Sequence, residues 1–232
     1  MRSRLLEFIQ QQIEIYGDEF VVPSRFRDAI CKDTDEPDID DAEWMNSRSL
    51  EELFNNIHTC TRCALGTKRN KFVFGNGNPD ADIMLVGEAP GADEDRTGRV
   101  FAGKAGELLD KILAAIELGR DQVFIGNILK CRPPLNRDPL PEEIDSCLPY
   151  LHKQIDLIKP AFILCLGRIA AQTLLNAGEP LSKLRQREYK IRGSRCFVTY
   201  HPAALLRNTE FKRPAWEDVK LLKKRYDEWK AQ

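Results

Sequence analysis

Four of the seven cysteines in this 232-residue chain are placed where thiolates could bind metal. Cys60, Cys63, Cys131 and Cys147 follow the spacing C-x2-C, a gap of 67 residues, then C-x15-C. Each sits beside a loop or a predicted helix start, and the runs Cys131-Arg-Pro-Pro and Cys147-Leu-Pro add turn-forming prolines. Four thiolates suit either a tetrahedral zinc or an iron–sulfur cluster. Structural zinc sites more often show two close pairs, so the split spacing leans towards a cluster. Four unconnected thiols are the alternative. Cys165 in FILCLG and Cys196 in RCFVTY read as small core residues, and Cys31, ahead of an acidic loop, as incidental.

Two further segments carry reactive side chains. The first runs Gly87-Glu88-Ala89-Pro90-Gly91-Ala92-Asp93-Glu94-Asp95 into RTGRVFAGKAG. Its glycines permit close backbone approach to a ligand. It lacks the spacing and the Lys of a phosphate-binding P-loop, which disfavours a nucleoside triphosphate. Glu88, Glu94 and Asp95 could do acid–base or water-positioning work, or simply be solvated loop carboxylates. The second is His201-Pro202-Ala203-Ala204-Leu205-Leu206-Arg207, which holds one of only three histidines. Leu205 and Leu206 either fold back into the core or form a wedge that enters a base stack.

These segments need a frame that brings them together. Apolar runs at Asp82–Gly87, Val123–Leu129, Phe162–Gly167 and Cys196–Tyr200 read as buried strands. Helical stripes separate them: Leu108, Leu109, Ile112, Leu113 and Ile116, then Ile144, Leu148, Leu151, Ile155 and Ile158. Ser49 and Glu52 make a capping-box pattern for a helix leading to the first cysteine pair. A last helix from about Pro214 to Lys230 would turn Trp216, Val219, Leu222, Tyr226 and Trp229 inward. Strands alternating with helices predict an α/β fold with a parallel sheet covered on both faces. Ligands of such sheets bind beyond the carboxyl ends of the strands, where the loops GEAPGADEDRTG, KCRPPLNRDP, GRIAAQ and HPAALLR begin.

The net charge of −1 indicates no partner by itself, but its distribution is uneven. Residues 1–59 carry 6 Lys/Arg against 14 Asp/Glu, and residues 183–230 carry 14 against 6. The basic C-terminal quarter fits either a phosphate backbone or a solvated helix face. No apolar run of membrane-spanning length and no signal peptide are present, so a cytoplasmic protein without membrane attachment is expected. Nothing in the sequence calls for more than a monomer.

Taken together, GEAPGADEDRTGRVFAGKAGELL, NILKCRPPLNRDP and HPAALLR, with the four cysteines, resemble family 4 uracil-DNA glycosylases over roughly residues 50–229. The resemblance implies a three-layer α/β/α sandwich with a four-stranded parallel sheet over 49–232, preceded by a helical and acidic extension over 1–48. It implies hydrolysis of the N-glycosidic bond of a flipped uracil in single- or double-stranded DNA. By resemblance, Cys60, Cys63, Cys131 and Cys147 hold a structural 4Fe–4S cluster. Asn127 reads the uracil edge with one amide, Phe101 stacks on the base, and Glu94 lies near uracil C5, where a thymine methyl would clash. His201 points at uracil O2 as a neutral donor, helped by backbone amides near Glu88 and Ala89. Glu88 positions water or faces the sugar cation, with Asn136 a second candidate. Other uracil glycosylases carry an Asp where this chain has Ala89, so no general base is expected there. Leu205, four residues after His201, would fill the vacated stack, and Arg207 with Lys212, Arg213, Lys220 and Lys224 would hold phosphates.

Other readings are less well served. A relative subgroup that traps uracil covalently uses a histidine in an inserted KRRIH loop, and KCRPPLNRDP has neither the insertion nor the histidine. A metal-stabilised DNA-binding module would need none of Glu88, Asn127 and His201. A glycosylase for deaminated adenine or guanine differs in pocket size, which sequence does not reveal.

Overall fold

The computed structural model describes residues 41–232. The helix expected over residues 4–16 and most of the acidic stretch lie outside the described residues. The compact unit that holds the rest runs from Asp38 to Gln232. Helix α1 (Asp41–Met45) already packs into it: Trp44 is buried and meets the Tyr150 ring edge-on at 4.8 Å. The packed domain therefore reaches upstream of residue 49.

Helix α2 (Leu50–Ile57) starts at the predicted cap, where Ser49 Oγ accepts from Glu52 N at 3.1 Å. The reciprocal bond goes one residue further back, with Arg48 N donating to Glu52 Oε2 at 2.8 Å. The sheet follows as β1 (Asn76–Gly77), β2 (Ile83–Gly87), β3 (Val123–Asn127), β4 (Phe162–Leu166), β5 (Tyr189–Ile191) and β6 (Ser194–Thr199). Its order is β1-β3-β2-β4-β6-β5. The four inner strands are parallel and are the four apolar runs of the sequence. The sheet differs from the expected four strands by two short antiparallel edges. β1 is only Asn-Gly, and β5 is a three-residue arm of a hairpin turning at Arg192 and Gly193, both with positive φ. Neither has the length or apolar character that marks a strand in sequence.

Helices cover both faces because the inner strands are apolar on both. Met84, Val86, Phe124, Ile163, Cys165 and Val198 face a core with α2, α5 (Pro141–Ile158), α6 (Arg168–Leu175) and α7 (Leu181–Leu184). Ile83, Leu85, Val123, Ile125, Leu164 and Phe197 face a second core with α4 (Lys104–Ala114) and α9 (Lys212–Lys230). The short helices α3 (Ala92–Thr97) and α8 (Pro202–Arg207) lie in the loops beyond β2 and β6. The stripe of α9 is shifted from expectation: Ala215, Asp218, Val219 and Leu222 are buried, while Trp216 and Trp229 are exposed. The shift follows from Asp218, whose carboxylate is drawn inward by Arg185 Nε at 2.6 Å and Thr199 Oγ1 at 2.8 Å.

That buried ion pair sits under the loop carrying His201. Arg185 also lies over the Tyr200 ring, 4.4 Å from its centre, and donates to Pro214 O at 2.7 Å. Removing one partner would strand the other charge without compensation. Asp218→Ala should therefore cost about 3–5 kcal/mol of unfolding free energy, read from the shift of a urea denaturation midpoint. A loss below about 1 kcal/mol would mean that water reaches Arg185.

Candidate active site

The loops beyond β2, β3 and β6 enclose a cleft of about 330 Å³. Glu88, Ala89, Glu94 and Phe101 line one side, Asn127 the floor, Asn136 the second side, and His201 and Arg207 the third. The eight residues that the sequence singled out for base and sugar chemistry or nearby phosphate contact thus share one cavity. Its walls also include Arg137, Asp138 and Ala105.

Asn127 ends β3 and is 2% exposed. Its Oδ1 is buried and has no hydrogen-bond partner. Such an orphaned acceptor is costly unless a ligand satisfies it. Gly87, which pairs with Asn127 across the sheet, has no side chain to intrude: a Cβ there would strike Asn127 Oδ1 and come within 3.0 Å of the Phe101 ring.

Phe101 is 6% exposed and holds a left-handed backbone, φ 51°. A bulky side chain in that region needs support from its neighbours. Arg120 supplies it by donating to Val100 O at 3.1 Å and Phe101 O at 2.8 Å. Glu94 supplies more. Its carboxylate accepts from Ala102 N at 2.7 Å, Gly103 N at 3.3 Å and Gly91 N at 3.1 Å. Glu94 therefore fastens α3 to the turn that presents Phe101, a task sequence reading did not foresee.

His201 caps α8 by accepting from Ala203 N through Nδ1 at 3.1 Å. That bond requires an unprotonated Nδ1, which leaves Nε2 carrying the ring hydrogen as a donor. Burial, with Arg207 nearby, lowers the His201 pKa to about 4, against a weaker upward pull from Glu94. The imidazole is thus neutral at pH 7. Its ring stacks on Phe101 at 5.4 Å. Gly167, with φ 95°, lets the two loops approach, since a Cβ there would lie 2.9 Å from His201 Cβ.

Burial, and then Asp138, raise the Glu88 pKa to about 6, while Arg168 pulls it down. Arg168 and Asp138 are themselves paired at 2.5 Å. Sequence reading missed both residues: Asp138 looks like a turn residue before a proline, and Arg168 opens the one strand-end loop poor in polar groups. Asn136 has φ 54°, and its Oδ1 accepts from Arg132 Nε at 2.8 Å. Arg137 is held by a forked pair to Glu143 at 2.6 and 2.8 Å, which braces the same loop.

The cleft can accept a flat, polar ring against the wall that Phe101 and His201 form together, satisfy an N–H at Asn127, and stabilise negative charge with a neutral imidazole. Residues 74–220 match the model of the uracil DNA glycosylase superfamily. The chain belongs to that superfamily. It is 45% identical over 184 residues to the type-4 uracil-DNA glycosylase of Sulfurisphaera tokodaii, covering 75% of this chain and 84% of that one. The type-4 enzyme of Archaeoglobus fulgidus is 41% identical over 180 residues, 74% of this chain and 90% of its own. A type-5 uracil-DNA glycosylase of Pyrobaculum aerophilum is 33% identical over 150 residues, 57% and 66% of the two chains.

The DNA-facing expectations need revision. Leu205 is 2% exposed and lines a small internal cavity with Leu109, Leu113 and Val219. A residue so placed anchors α8 to the core and cannot enter a base stack without unfolding that helix. The exposed apolar residue of the loop is Leu206, at 47%. The basic tail is also less free than its composition suggests. Lys220 pairs with Glu217 at 2.8 Å, Lys224 with Glu228 at 3.9 Å, and Lys230 with Asp82 at 2.8 Å. Lys212 and Arg213, at the start of α9, form no ion pair among the described residues. No helix among the described residues is long and apolar enough to cross a membrane.

Two outcomes follow from the cleft. Gly87→Ala should abolish base binding with little loss of fold, lowering single-turnover excision at least about 10²-fold, because the reading edge of Asn127 is blocked. Normal excision would move the base elsewhere. The rate should also rise with pH, with unit slope, up to an apparent pKa near 6 as Glu88 ionises, and stay level to pH 8. His201, neutral above about 4, adds no limb in that range. Glu88→Gln should flatten the profile and raise thermal stability at pH 7. The sign follows because a raised carboxylate pKa means folding disfavours the ionised form, so stability falls as pH rises through that pKa. A profile unchanged by Glu88→Gln would assign the titration to another group.

Proposed function

We propose that the chain excises uracil from DNA by taking the base into this cleft and hydrolysing its N-glycosidic bond, leaving an abasic site. The observation that carries the reading is the orphaned Asn127 Oδ1 at the floor of a cleft flanked by Phe101 and a neutral His201. Uracil offers N3–H as donor and O4 as acceptor side by side, and one carboxamide matches both.

Breaking the C1′–N1 bond leaves the electron pair on uracil and positive charge on the sugar. His201 Nε2–H donates to the growing charge on O2, which a neutral imidazole does without surrendering its proton. Ionised Glu88 opposes the sugar cation, orients the water whose oxygen joins C1′, and takes up the proton that this water gives up. Asn136 at the second wall assists with that water. Ala89 contributes its backbone amide and no side-chain base. Glu94 holds the Phe101 turn and narrows the pocket by the uracil C5 edge. Uracil must leave the duplex to reach this cleft, so Leu206, the exposed apolar residue of the HPAALLR loop, fills the vacated stack in place of Leu205. Arg207 binds a flanking phosphate.

Cys60, Cys63, Cys131 and Cys147 would hold a 4Fe–4S cluster whose chemistry here is structural. Several features support the fit. The Cys63, Cys131 and Cys147 thiols each feel the charge of at least one other member of the set. Donors are aimed at the sulfurs: Tyr150 OH at 3.3 Å and Arg62 N at 3.5 Å to Cys60, Arg69 Nη1 at 3.5 Å to Cys131, and Lys130 N at 3.3 Å to Cys147. Burial pushes the Cys131 thiol up to about 11 and Cys147 to about 12, so a strongly cationic group is needed to hold them as thiolates. Among the described residues no three such side chains converge tightly enough for a single ion.

The deciding assay is alkali-induced cleavage of a uracil-containing oligonucleotide beside hypoxanthine and xanthine controls, and no uracil release would overturn the reading. Protein purified without oxygen should be brown, with about four irons per chain. Colourless protein with one zinc would overturn the cluster. His201→Ala should slow single-turnover excision about 10²–10³-fold on single-stranded and duplex DNA alike. Leu206→Ala should slow only duplex excision, least at a U·G mispair, where unpairing is cheap. Leu205→Ala should instead cost about 2–5 kcal/mol of stability. Equal slowing of both substrates by Leu206→Ala would remove it from the stack.

A further inference from the structure

Lys130 is the one lysine among the described residues with no solvent exposure at all, and the reading above gives its side chain no task. Burying an ammonium without an anion is strongly unfavourable. Yet no carboxylate pairs with it. Its Nζ donates to two neutral acceptors, Asn127 O at 2.9 Å and Gln154 Oε1 at 2.6 Å. Its own backbone N donates to Cys147 Sγ at 3.3 Å, and Cys131 is the next residue in the chain.

The other end of this contact chain is equally fixed. Gln154 Nε2 donates to Phe74 O at 3.0 Å, and Lys130 O accepts from Val73 N at 2.9 Å. Ile128 N and Leu129 N donate to Gly87 O and Glu88 O at 2.9 and 3.0 Å. The turn from Asn127 to Lys130 is therefore gripped from three sides, and its first residue is the one whose amide oxygen stands unpaired in the cleft.

We propose that Lys130 is a positioning residue that ties the four-cysteine site to the base-reading Asn127, its backbone N held on Cys147 Sγ while its ammonium fixes the Asn127 main chain. The inference rests on the uracil and cluster reading above. It links Cys147, through Lys130, to the floor of the cleft. The bonds from Lys130 Nζ to Asn127 O and Gln154 Oε1 hold the turn in place and aim Asn127, and the bond from Lys130 N to Cys147 Sγ joins that turn to the cysteine set.

The test uses the full iron-loaded protein and Lys130→Met, which keeps length and removes charge. Iron content, visible absorbance, the cluster's reduction potential by redox titration, and single-turnover excision at saturating DNA are measured together. The variant is expected to keep its iron and to melt cooperatively. Its cluster potential should shift to more negative values, because a nearby positive charge has gone. Its excision rate should fall at least ten-fold with the half-saturating DNA concentration unchanged. An unchanged potential, or a wild-type rate, overturns the proposal. If Lys130→Met fails to hold iron, Gln154→Leu replaces it, leaving Lys130 and the cysteines intact while removing one bond that aims the ammonium. A several-fold slower rate with full iron supports the proposal, and a wild-type rate overturns it. Wild-type protein lacking iron or uracil release would instead sink the underlying reading, so the two failures are told apart.

Discussion

A polar group held dry and unpaired is the constraint around which this site is organised. Asn127 Oδ1 has lost water and gained nothing in the protein. Leaving such an acceptor unsatisfied costs about 1–3 kcal/mol, a sizeable fraction of a domain's net stability. Gly87 keeps the space before it empty, and Phe101 walls it with an aromatic face. A base that brings an N–H to that oxygen recovers the lost bond. One that presents a lone pair there deepens the penalty. Selectivity of this kind comes from what the pocket withholds as much as from what it offers.

The same dryness sets the charges of His201 and Glu88. Burial turns His201 into a neutral donor and lifts Glu88 towards pH 6. The two shifts are useful together. An imidazolium facing a departing anion would bind it well, but it would also repel the sugar cation. A neutral donor helps the anion without that penalty, and the nearby carboxylate is left to face the cation. The Asp138–Arg168 pair sets the balance for Glu88: Asp138 pushes its pKa up and Arg168 pulls it back.

Much of this was legible in the sequence, for reasons that differ by residue. The inner strands were visible because parallel strands covered on both faces must be apolar throughout, and runs such as DIMLVG leave little choice. Their carboxyl ends located the cleft, and the order of motifs supplied roles for Asn127, Phe101 and His201. The edges escaped notice because β1 is two residues and β5 three, too short to show a period. Asp138, Arg168, Arg120 and Lys130 were missed for a common reason. Each acts through a partner far away in the chain, and single polar residues carry no pattern until the fold brings the partner near. Glu94 stood in the right place, but the three amides that engage it could be seen only in three dimensions.

Leu205 and Leu206 illustrate the limit most sharply. Both are apolar, adjacent and in the same loop, so composition cannot separate them. The loop, however, folds as a helix from Pro202, and successive residues on a helix point about 100° apart. On this short helix that rotation leaves Leu205 buried and Leu206 exposed. The phase is set by the cap: with His201 held at the N-terminus by its bond to Ala203 N, the fourth residue after it turns down onto α4 and α9, and the fifth turns out. The same hydrogen bond that fixes the tautomer of His201 thus sets which leucine is exposed. The proposed roles of His201 and Leu206 therefore share one cap, and a change in loop register would disturb both at once.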